Sequence, residues 1–549
     1  MTNVNRQHTA PLKVPRTRRN HQIAVLTSLP AGKFVPIAAV PLLREDALRA
    51  RMRIAVEMLE TKEILMNPVN LRVRAYVVPL LALERFEGSR DQFDRSYMGE
   101  PQVEGGDVVP FIETHAMGTH GANAVYKALG LHGKADDQVN TAYLESYNLL
   151  WNFLAKNRSK EITARARLAT DLAPAFWQHT RFQHVVPDFD QAVIDGEVAL
   201  NIVEQRIPVK GIGLRNQNVA ATATNVRVTG GTGLESMDGW LAVQNGTPGA
   251  GQANLIVGKD WNDPNSNFPG IFAEMQENGV TVSLSNIELA RKTQAFARLR
   301  QRYEGYDDEW IIDMLMDGLS IPDQALKQPI LLADKTVRFA QAKRYATDAG
   351  NLAESAVSGA AALDLSLRVP KLNTGGVVLV VAECVPEQLF ERQRDPFFHS
   401  VDKDGWPEYL RDTLDPEKVD IVKNGEIDTA HDAPNATFGY APMNWKWNAW
   451  GPRVGGKFYR PTVDAGTDEE RQRLWAVETA NPVLSEDFYI VSSIHTKPFL
   501  DTESDPFEVT AVGNAVIEGN TVFGGLLVEA TNNYDAVAEK APTERIEKE

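Results

Sequence analysis

The sequence predicts a mainly β protein, because apolar residues recur in strand patterns while helix signals are confined to a few segments. Apolar residues alternate with polar or aromatic ones from 71 to 77, which is the period-two pattern of a half-buried strand. A continuous apolar run from 377 to 381 follows Gly375 and Gly376 and is typical of a strand buried on both faces. Connections of tens of residues separate such runs. We therefore expect a strand core with long loops.

Two regions carry helix signals within this strand-rich sequence. Residues 141 to 156 place aromatic and leucine side chains on one helical face, so we expect a helical insertion there that packs against the sheet. A pair of helices is expected over residues 286 to 317. Ser285 and Glu288 form a capping box at its start, and Gly318 ends the second helix.

Composition excludes several classes of protein. The chain has 549 residues and a formal net charge of −16, which argues against a protein whose whole surface meets nucleic acid. No run approaches the roughly 18 apolar residues of a membrane-spanning helix. The N-terminus lacks a secretory signal, so assembly in a cytoplasm is expected. The single cysteine, Cys384, excludes an intrachain disulfide and is expected to be a buried, inert thiol.

Positive charge is concentrated at the N-terminus. Residues 1 to 44 carry seven basic side chains, no acidic one and several prolines. This composition predicts an extended, poorly self-structured basic arm. Charge alone leaves open whether the arm binds an anion or is a solvated tail. The basic residues are Arg6, Lys13, Arg16, Arg18, Arg19, Lys33 and Arg44.

Turn residues dominate two other regions. Residues 207 to 284 hold 12 of the 39 glycines and many asparagines, which predicts a loop-built insertion with a few short strands, such as 225 to 228. Residues 402 to 466 are loop-rich as well. Their tryptophans either anchor subunit contacts or pack within one subunit, and the sequence leaves both open. These tryptophans are Trp406, Trp445, Trp447 and Trp450.

No motif for catalysis, a cofactor or a metal is complete in the sequence. Residues 451 to 457 have the glycine and lysine spacing of a phosphate-binding loop, but Phe458 stands where Ser or Thr would ligate magnesium. Glu113, His115 and His120 lie in a glycine-flanked loop and lack the spacing of a helical zinc motif. We therefore expect no enzyme activity, no cofactor and no metal site.

Seven blocks follow one another along the chain in an order that one protein family shares. The most informative, LSNIELARKTQAFARLRQRYEGYDDEWIIDMLMDGLSIPDQALKQPILL, sets the helix pair directly after the glycine-rich region. In this order the blocks resemble the major capsid protein of the microviruses, small icosahedral phages with circular single-stranded DNA. The resemblance covers most of the chain. The blocks are residues 67–99, 128–162, 176–192, 284–332, 374–398, 438–447 and 474–493.

The resemblance implies a fold and an assembly. The fold would be a single eight-stranded antiparallel jelly roll with long loop and helical insertions, divided along the chain into residues 45–206 and 285–549. About 60 copies would close a T=1 icosahedral shell, the virion capsid, around the DNA. The insertion at 207–284 would project outward at the three-fold axes. Its aromatic residues, expected to pack together there, are Trp240, Trp261, Phe268 and Phe272.

The resemblance also implies partners. The basic arm would lie inside the shell, and its expected DNA-contacting residues are Arg6, Lys13, Arg16, Arg18 and Arg19. Further partners implied for the family are small DNA-binding, scaffolding or pilot proteins and a host cell-surface receptor. Two other classes stay open from the sequence. One is a β-sandwich that binds or cleaves carbohydrate through the tryptophan-rich loops, and the other is a minor spike component that assembles as pentamers.

Overall fold

A computed structural model describes most of the chain. The chain divides into two units, Met1–Phe189 with Met314–Glu549, and Asp190–Asp313. The described residues are 15–103, 105–118, 122–178, 181–188, 206–208, 224–228, 239–243, 272–274, 291–293, 295–296, 318, 324–344, 356–401, 403, 406–407, 419–448, 451–458, 473–475 and 481–524.

One antiparallel sheet of five strands, which we call the first sheet, has one buried and one exposed face. Its strands alternate buried and exposed residues, because one set of side chains enters the core while the other meets solvent. With strands numbered in chain order, its members are β1 (Thr17–Leu29), β3 (Asp46–Thr61), β13 (Ala340–Arg344), β14 (Ala356–Leu372) and β18 (Phe507–Gly519). Their order across the sheet is β1-β18-β3-β14-β13.

The second sheet also has five strands, all antiparallel, and its three inner strands are largely buried on both faces. Its strands are β2 (Lys33–Leu42), β4 (Val69–Pro79), β7 (Ala173–Pro174), β12 (Ile330–Arg338) and β15 (Gly376–Pro386). Their order is β12-β4-β15-β2-β7. Every residue of β15 is buried, which confirms the interpretation of the apolar run at 377–381.

Both sheets contribute side chains to one apolar core. Members from the first sheet include Ile54, Leu365 and Ala511, and members from the second include Val73 and Val380. This arrangement is compatible with a β-sandwich, and the prediction of a mainly β protein is confirmed. Burial of apolar surface of this extent is the dominant stabilising contribution in such a fold.

A second core covers the other face of the second sheet. The helix expected near 141–156 is present there as α3 (Ala142–Lys156), and its Tyr147 and Trp151 are buried with Tyr76 and Leu379 of the sheet. The Trp151 indole nitrogen donates to the Pro174 carbonyl at 2.9 Å. The other α-helices in the described part of this unit are α1 (Arg90–Met98), α2 (Ala124–Leu129), α4 (Asn424–Ile427), α5 (Trp445–Asn448) and α6 (Glu486–Tyr489).

Short elements complete this unit. Two-stranded pairs are formed by β5 (Thr114–Ala116) with β6 (Gln138–Asn140) and by β16 (Val419–Lys423) with β17 (Thr437–Pro442). The second pair and α5 lie in the region 402–466 that was expected to be loop-rich. Single turns of 3-10 helix occur at Leu80–Ala82, Glu84–Phe86, Gln324–Lys327 and Gly456–Phe458.

The other unit contains short strands within the glycine-rich insertion. β8 (Arg206–Pro208) pairs with β11 (Phe272–Glu274), and β9 (Thr224–Val228) pairs with β10 (Gly239–Val243). The strand expected at 225–228 is therefore confirmed. Of the helix pair expected over 286–317, residues 291–293 and 295–296 are helical, and the other residues lie outside the described ranges.

Two expectations about strands need correction. Residues 17–42 are not a poorly structured arm, because they form β1 and β2 and bury Ile23, Val35 and Ile37 in the core. Apolar burial outweighs the excess of positive charge that suggested an extended arm. The stretch 71–77 is not half-buried, because the second core covers the face that carries Arg74 and Tyr76.

Candidate nucleic-acid interface

The exposed face of the first sheet carries a row of arginines, which we call the arginine face: Arg49, Arg51, Arg53 and Arg368. The first three alternate along β3 with Ala50 and Met52, which are buried in the core. Strand geometry therefore directs the three guanidinium groups to one side, roughly 7 Å apart along the strand. Arg368 occupies the same face of β14.

The register of the strands brings the cations together. Arg49 lies opposite Arg368 on β14, and Arg51 lies opposite Ser366. Arg53 lies opposite Asp364, the nearest carboxylate in the register. Like charges directly opposite each other destabilise a sheet, so the Arg49 and Arg368 pair opposes folding unless an anion lies between them.

These four arginines differ from most other arginines of the fold. None of their side chains makes a hydrogen bond or an ion pair with any residue in the described part of the chain. In contrast, Arg72 donates to both carboxylate oxygens of Asp334, at 3.0 and 2.6 Å. Exposed, unpaired guanidinium groups are free to make bidentate contacts with phosphate.

Carboxylates on the same face lie mainly towards its other end. Glu57 on β3 lies opposite Glu508 on β18, four residues along the strand from Arg53. At the arginine end, Glu518 is paired with Arg18, with 2.8 Å between the Arg18 Nε and a Glu518 carboxylate oxygen. The arginine face is therefore a local positive patch on a chain whose net charge is −16. Nucleic-acid binding requires such a local concentration of charge.

The predicted DNA-contacting residues occupy three different environments. Arg18 lies on β1, on the same side of the sheet as the arginine face, and its side chain is 76% exposed. Arg19 points to the opposite side and pairs with the buried Asp46. Arg16 donates to the Glu518 carbonyl at 2.8 Å and to the Glu45 carbonyl at 3.2 Å.

Arg18 thus shares this face with four arginines that are absent from the predicted DNA-contacting set. The signal was present as the alternating run Arg49-Ala50-Arg51-Met52-Arg53, which has the period of a strand with one basic face. The other predicted DNA-contacting residues, Arg6 and Lys13, lie outside the described residues.

The aromatic residues expected at a three-fold projection are only partly described. Trp240 lies within β10, and Phe272 begins β11. Trp261 and Phe268 lie outside the described ranges. The proximity expected for the four residues therefore stays a prediction.

The remaining sequence candidates occupy ordinary structural positions. Glu113 forms a two-bonded ion pair with Arg167, at 2.6 and 2.8 Å, and His115 stacks on Tyr126 with 5.8 Å between ring centroids. Among the residues that the structure describes, no group of three or more His, Cys, Asp or Glu is placed to hold a metal ion. Within the same residues, no helix is both long and apolar enough to span a membrane.

No protein-family model matches the sequence, and no curated protein matches it significantly.

Proposed function

We propose that this chain is the major capsid protein of a small icosahedral phage with single-stranded DNA, and that its arginine face lies against the packaged genome. The observation that carries the proposal is the order of eight long strands in the two sheets. The basic patch on the first sheet and the family resemblance of the sequence support the same conclusion.

The strand order supports a jelly roll. When the short β7 and β13 are set aside, the sheets read β1-β18-β3-β14 and β12-β4-β15-β2. Numbered along the chain from one to eight, these are strands 1-8-3-6 and 5-4-7-2. The chain alternates between the sheets except at the step from β4 to β12. Two facing antiparallel sheets of this kind are the architecture of an eight-stranded jelly roll.

The lengths of the connections support a role in assembly. Residues 80–329 lie between β4 and β12, and residues 387–506 lie between β15 and β18. These two connections hold more of the chain than the long strands do. A closed symmetric shell needs several different interfaces on one subunit, and long loops supply such surfaces without altering the strand core.

The arginine face supports an orientation of the subunit in the shell. Arg18 lies on this face, and the basic residues Arg6 and Lys13 precede it in the sequence. The interior of a DNA-filled shell is the environment in which the repulsion between Arg49 and Arg368 would be offset by phosphate. From the family resemblance, the insertion at 207–284 is proposed to form the outward projection at the three-fold axes and to contact a host receptor.

Measurement of particle mass tests the proposal. Purified protein, with companion virion proteins if they are required, is expected to yield closed particles of about 60 subunits by calibrated mass measurement and electron microscopy. A protein that stays monomeric or dimeric under all these conditions would contradict the proposal. Pentamers without shells would favour the spike alternative.

A further inference from the structure

Two adjoining cavities lie in the layer that covers the second sheet, on the side of the fold away from the arginine face. The larger has a volume of about 180 Å³ and the smaller about 100 Å³. Arg181 and Lys446 line both. Several lining residues of the smaller cavity, Phe182 and Ala441 among them, belong to the second core.

The larger cavity is rich in cations. Its lining includes Arg181, Arg394, Lys446 and Arg453, against the carboxylates of Glu391 and Asp395. The Asp395 carboxylate already has partners, because it forms an ion pair with Arg453 and accepts a hydrogen bond from the Phe398 backbone N–H at 2.7 Å. Arg181, Arg394 and Lys446 therefore outnumber the carboxylates beside them, those of Glu391 in this lining and Glu426 near Arg181.

Two of these cations have no partner in the described part of the chain. The side chains of Arg394 and Lys446 make no hydrogen bond or ion pair there. Arg394 contributes its backbone instead, since its N–H donates to the Glu426 carbonyl at 2.9 Å and its carbonyl accepts from Arg181. Its guanidinium group is consequently exposed at the cavity and unused by the fold.

Arg181 is a buried cation held in a fixed position. Its residue is only 6% exposed, and its guanidinium group lies 3.8 Å from the nearest carboxylate oxygen of Glu426. The Trp445 indole nitrogen donates to the Arg181 carbonyl at 2.7 Å. Burial lowers the pKa of Arg181, because nearby carboxylates offset only part of the cost of removing its charge from water. The guanidinium group nevertheless stays charged, as arginines do in proteins. An anion in the cavity would supply that compensation.

The smaller cavity differs in chemistry. It is lined by apolar groups that include Phe182, Ile421 and Trp445, together with the carboxylates of Asp420 and Glu426. Asp420 already accepts from the Asn444 backbone N–H at 2.7 Å, and Glu426 faces Arg181. An aromatic wall beside fixed hydrogen-bond acceptors suits a ring that bears hydroxyl or amino groups.

We propose that these cavities form one binding site for a small phosphomonoester, with the phosphate group in the larger cavity and a polar ring against Trp445 in the smaller one. Arg394 and Lys446 would bind the phosphate oxygens. Arg181 would neutralise part of the phosphate charge where the two cavities meet. Sugar phosphates and nucleoside monophosphates share this chemistry. The site does not depend on the proposed assembly, since all of its residues belong to one chain.

Binding to the full-length protein, measured by isothermal titration calorimetry, tests the site. The probes are inorganic phosphate, glucose 6-phosphate, deoxycytidine monophosphate and the uncharged glucose and deoxycytidine. Saturable binding of inorganic phosphate is expected, with tighter binding of at least one of the two esters and none of the uncharged compounds. Whichever ester binds more tightly identifies the ring as a sugar or a nucleoside.

Variants connect this binding to the cavity. Arg394→Gln and Lys446→Gln are each expected to weaken phosphate binding at least about threefold, because each removes one charge-assisted contact. Arg338 is an exposed arginine of β12 whose side chain has no hydrogen-bond or ion-pair partner among the described residues. Arg338→Gln therefore makes the same change of charge elsewhere and is expected to leave binding unchanged. Absence of saturable phosphate binding, or equal affinities in all three variants, would overturn the proposal. Circular dichroism establishes that each variant is folded.

Discussion

Arg49 on β3 and Arg368 on β14 lie directly opposite each other on the exposed face of the first sheet, and neither has an ion-pair partner among the described residues. Opposed like charges oppose strand pairing. Natural sequences depart from such local rules chiefly at functional sites. At this pair, the proposed contact with DNA favours two adjacent positive charges, whereas the stability of the fold disfavours them.

That conflict predicts a gain in stability when one charge is removed. Arg368→Gln is expected to raise the free energy of unfolding of the DNA-free protein by about 0.2–1 kcal/mol, the usual size of a cross-strand pair effect. Urea denaturation of subunits in low-salt buffer measures the change. Arg338→Gln, which removes a charge that faces no other arginine in the strand register, serves as the control. A loss of stability in Arg368→Gln would show that the pair is not repulsive.

The arginine face is also expected to set the salt dependence of DNA binding. Replacing Arg49, Arg51 and Arg53 together with glutamine should weaken binding to single-stranded DNA and make it less sensitive to salt. The slope of log K against log salt should change by about 2, from roughly 0.7 for each lost phosphate contact. Fluorescence titration with an unstructured oligonucleotide at several salt concentrations measures it. An unchanged slope would place the DNA elsewhere on the subunit.

Two ion pairs on the second sheet should differ in their sensitivity to mutation. Arg74 and Glu383 are almost fully buried, whereas Arg72 and Asp334 keep about a quarter or more of each side chain exposed. Glu383→Gln leaves a buried cation unpaired and is expected to lower the free energy of unfolding by about 3–5 kcal/mol. Asp334→Asn is expected to lower it by less than about 1 kcal/mol. Thermal or chemical unfolding of both variants tests this difference, and equal losses would contradict it.

Low pH is expected to weaken the ion pair between Glu113 and Arg167. The hydrogen bonds from the Arg167 guanidinium hold the pKa of Glu113 below its ordinary value. Because the folded pKa is the lower one, this pair stabilises the protein fully above the ordinary glutamate pKa of about 4.3 and is lost as pH falls through the folded pKa. Unfolding free energies from pH 7 to pH 3 should fall less steeply for Glu113→Gln than for the wild type. Parallel curves would contradict the assignment.

The glycine-rich insertion is expected to be dispensable for assembly of the proposed shell. Replacing residues 210–275 with a short Gly/Ser linker should preserve particle assembly and impair attachment to the host, since exposed loops commonly carry binding functions. Electron microscopy and a cell-adsorption assay measure the two effects. If the replacement abolishes soluble expression, the segment belongs to the subunit core instead.

Local sequence patterns predicted the strands and helices that pack through a continuous apolar surface. The run at 377–381 was recognised as a fully buried strand, and the stripe on α3 as a helix that packs on a sheet, because each needs only a continuous apolar surface. The second covered face of β4 could not be predicted in this way. Arg74 looks like a solvent-facing residue until its partner Glu383, more than 300 positions away in the sequence, is brought beside it.

The candidate interface was predicted less well for a related reason. Arg18 was identified because it belongs to an uninterrupted basic segment, but Arg19 has the same sequence context and pairs with a buried carboxylate. Strand alternation separates these neighbours onto opposite faces. Arg49 and Arg368 became a pair only through strand register, which single-sequence patterns do not provide.

The pairing of β1 with β18 joins the two ends of the described chain over their full lengths, with Thr17 opposite Gly519 and Leu29 opposite Phe507. β18 also separates β1 from β3, so the first sheet has a gap until the last strand arrives. A ribosome adds about 5–20 residues per second, so roughly half a minute or longer separates the synthesis of β1 from that of β18. Truncated products lack this strand and cannot complete the sheet. Completion of the first sheet therefore requires synthesis to the end of β18.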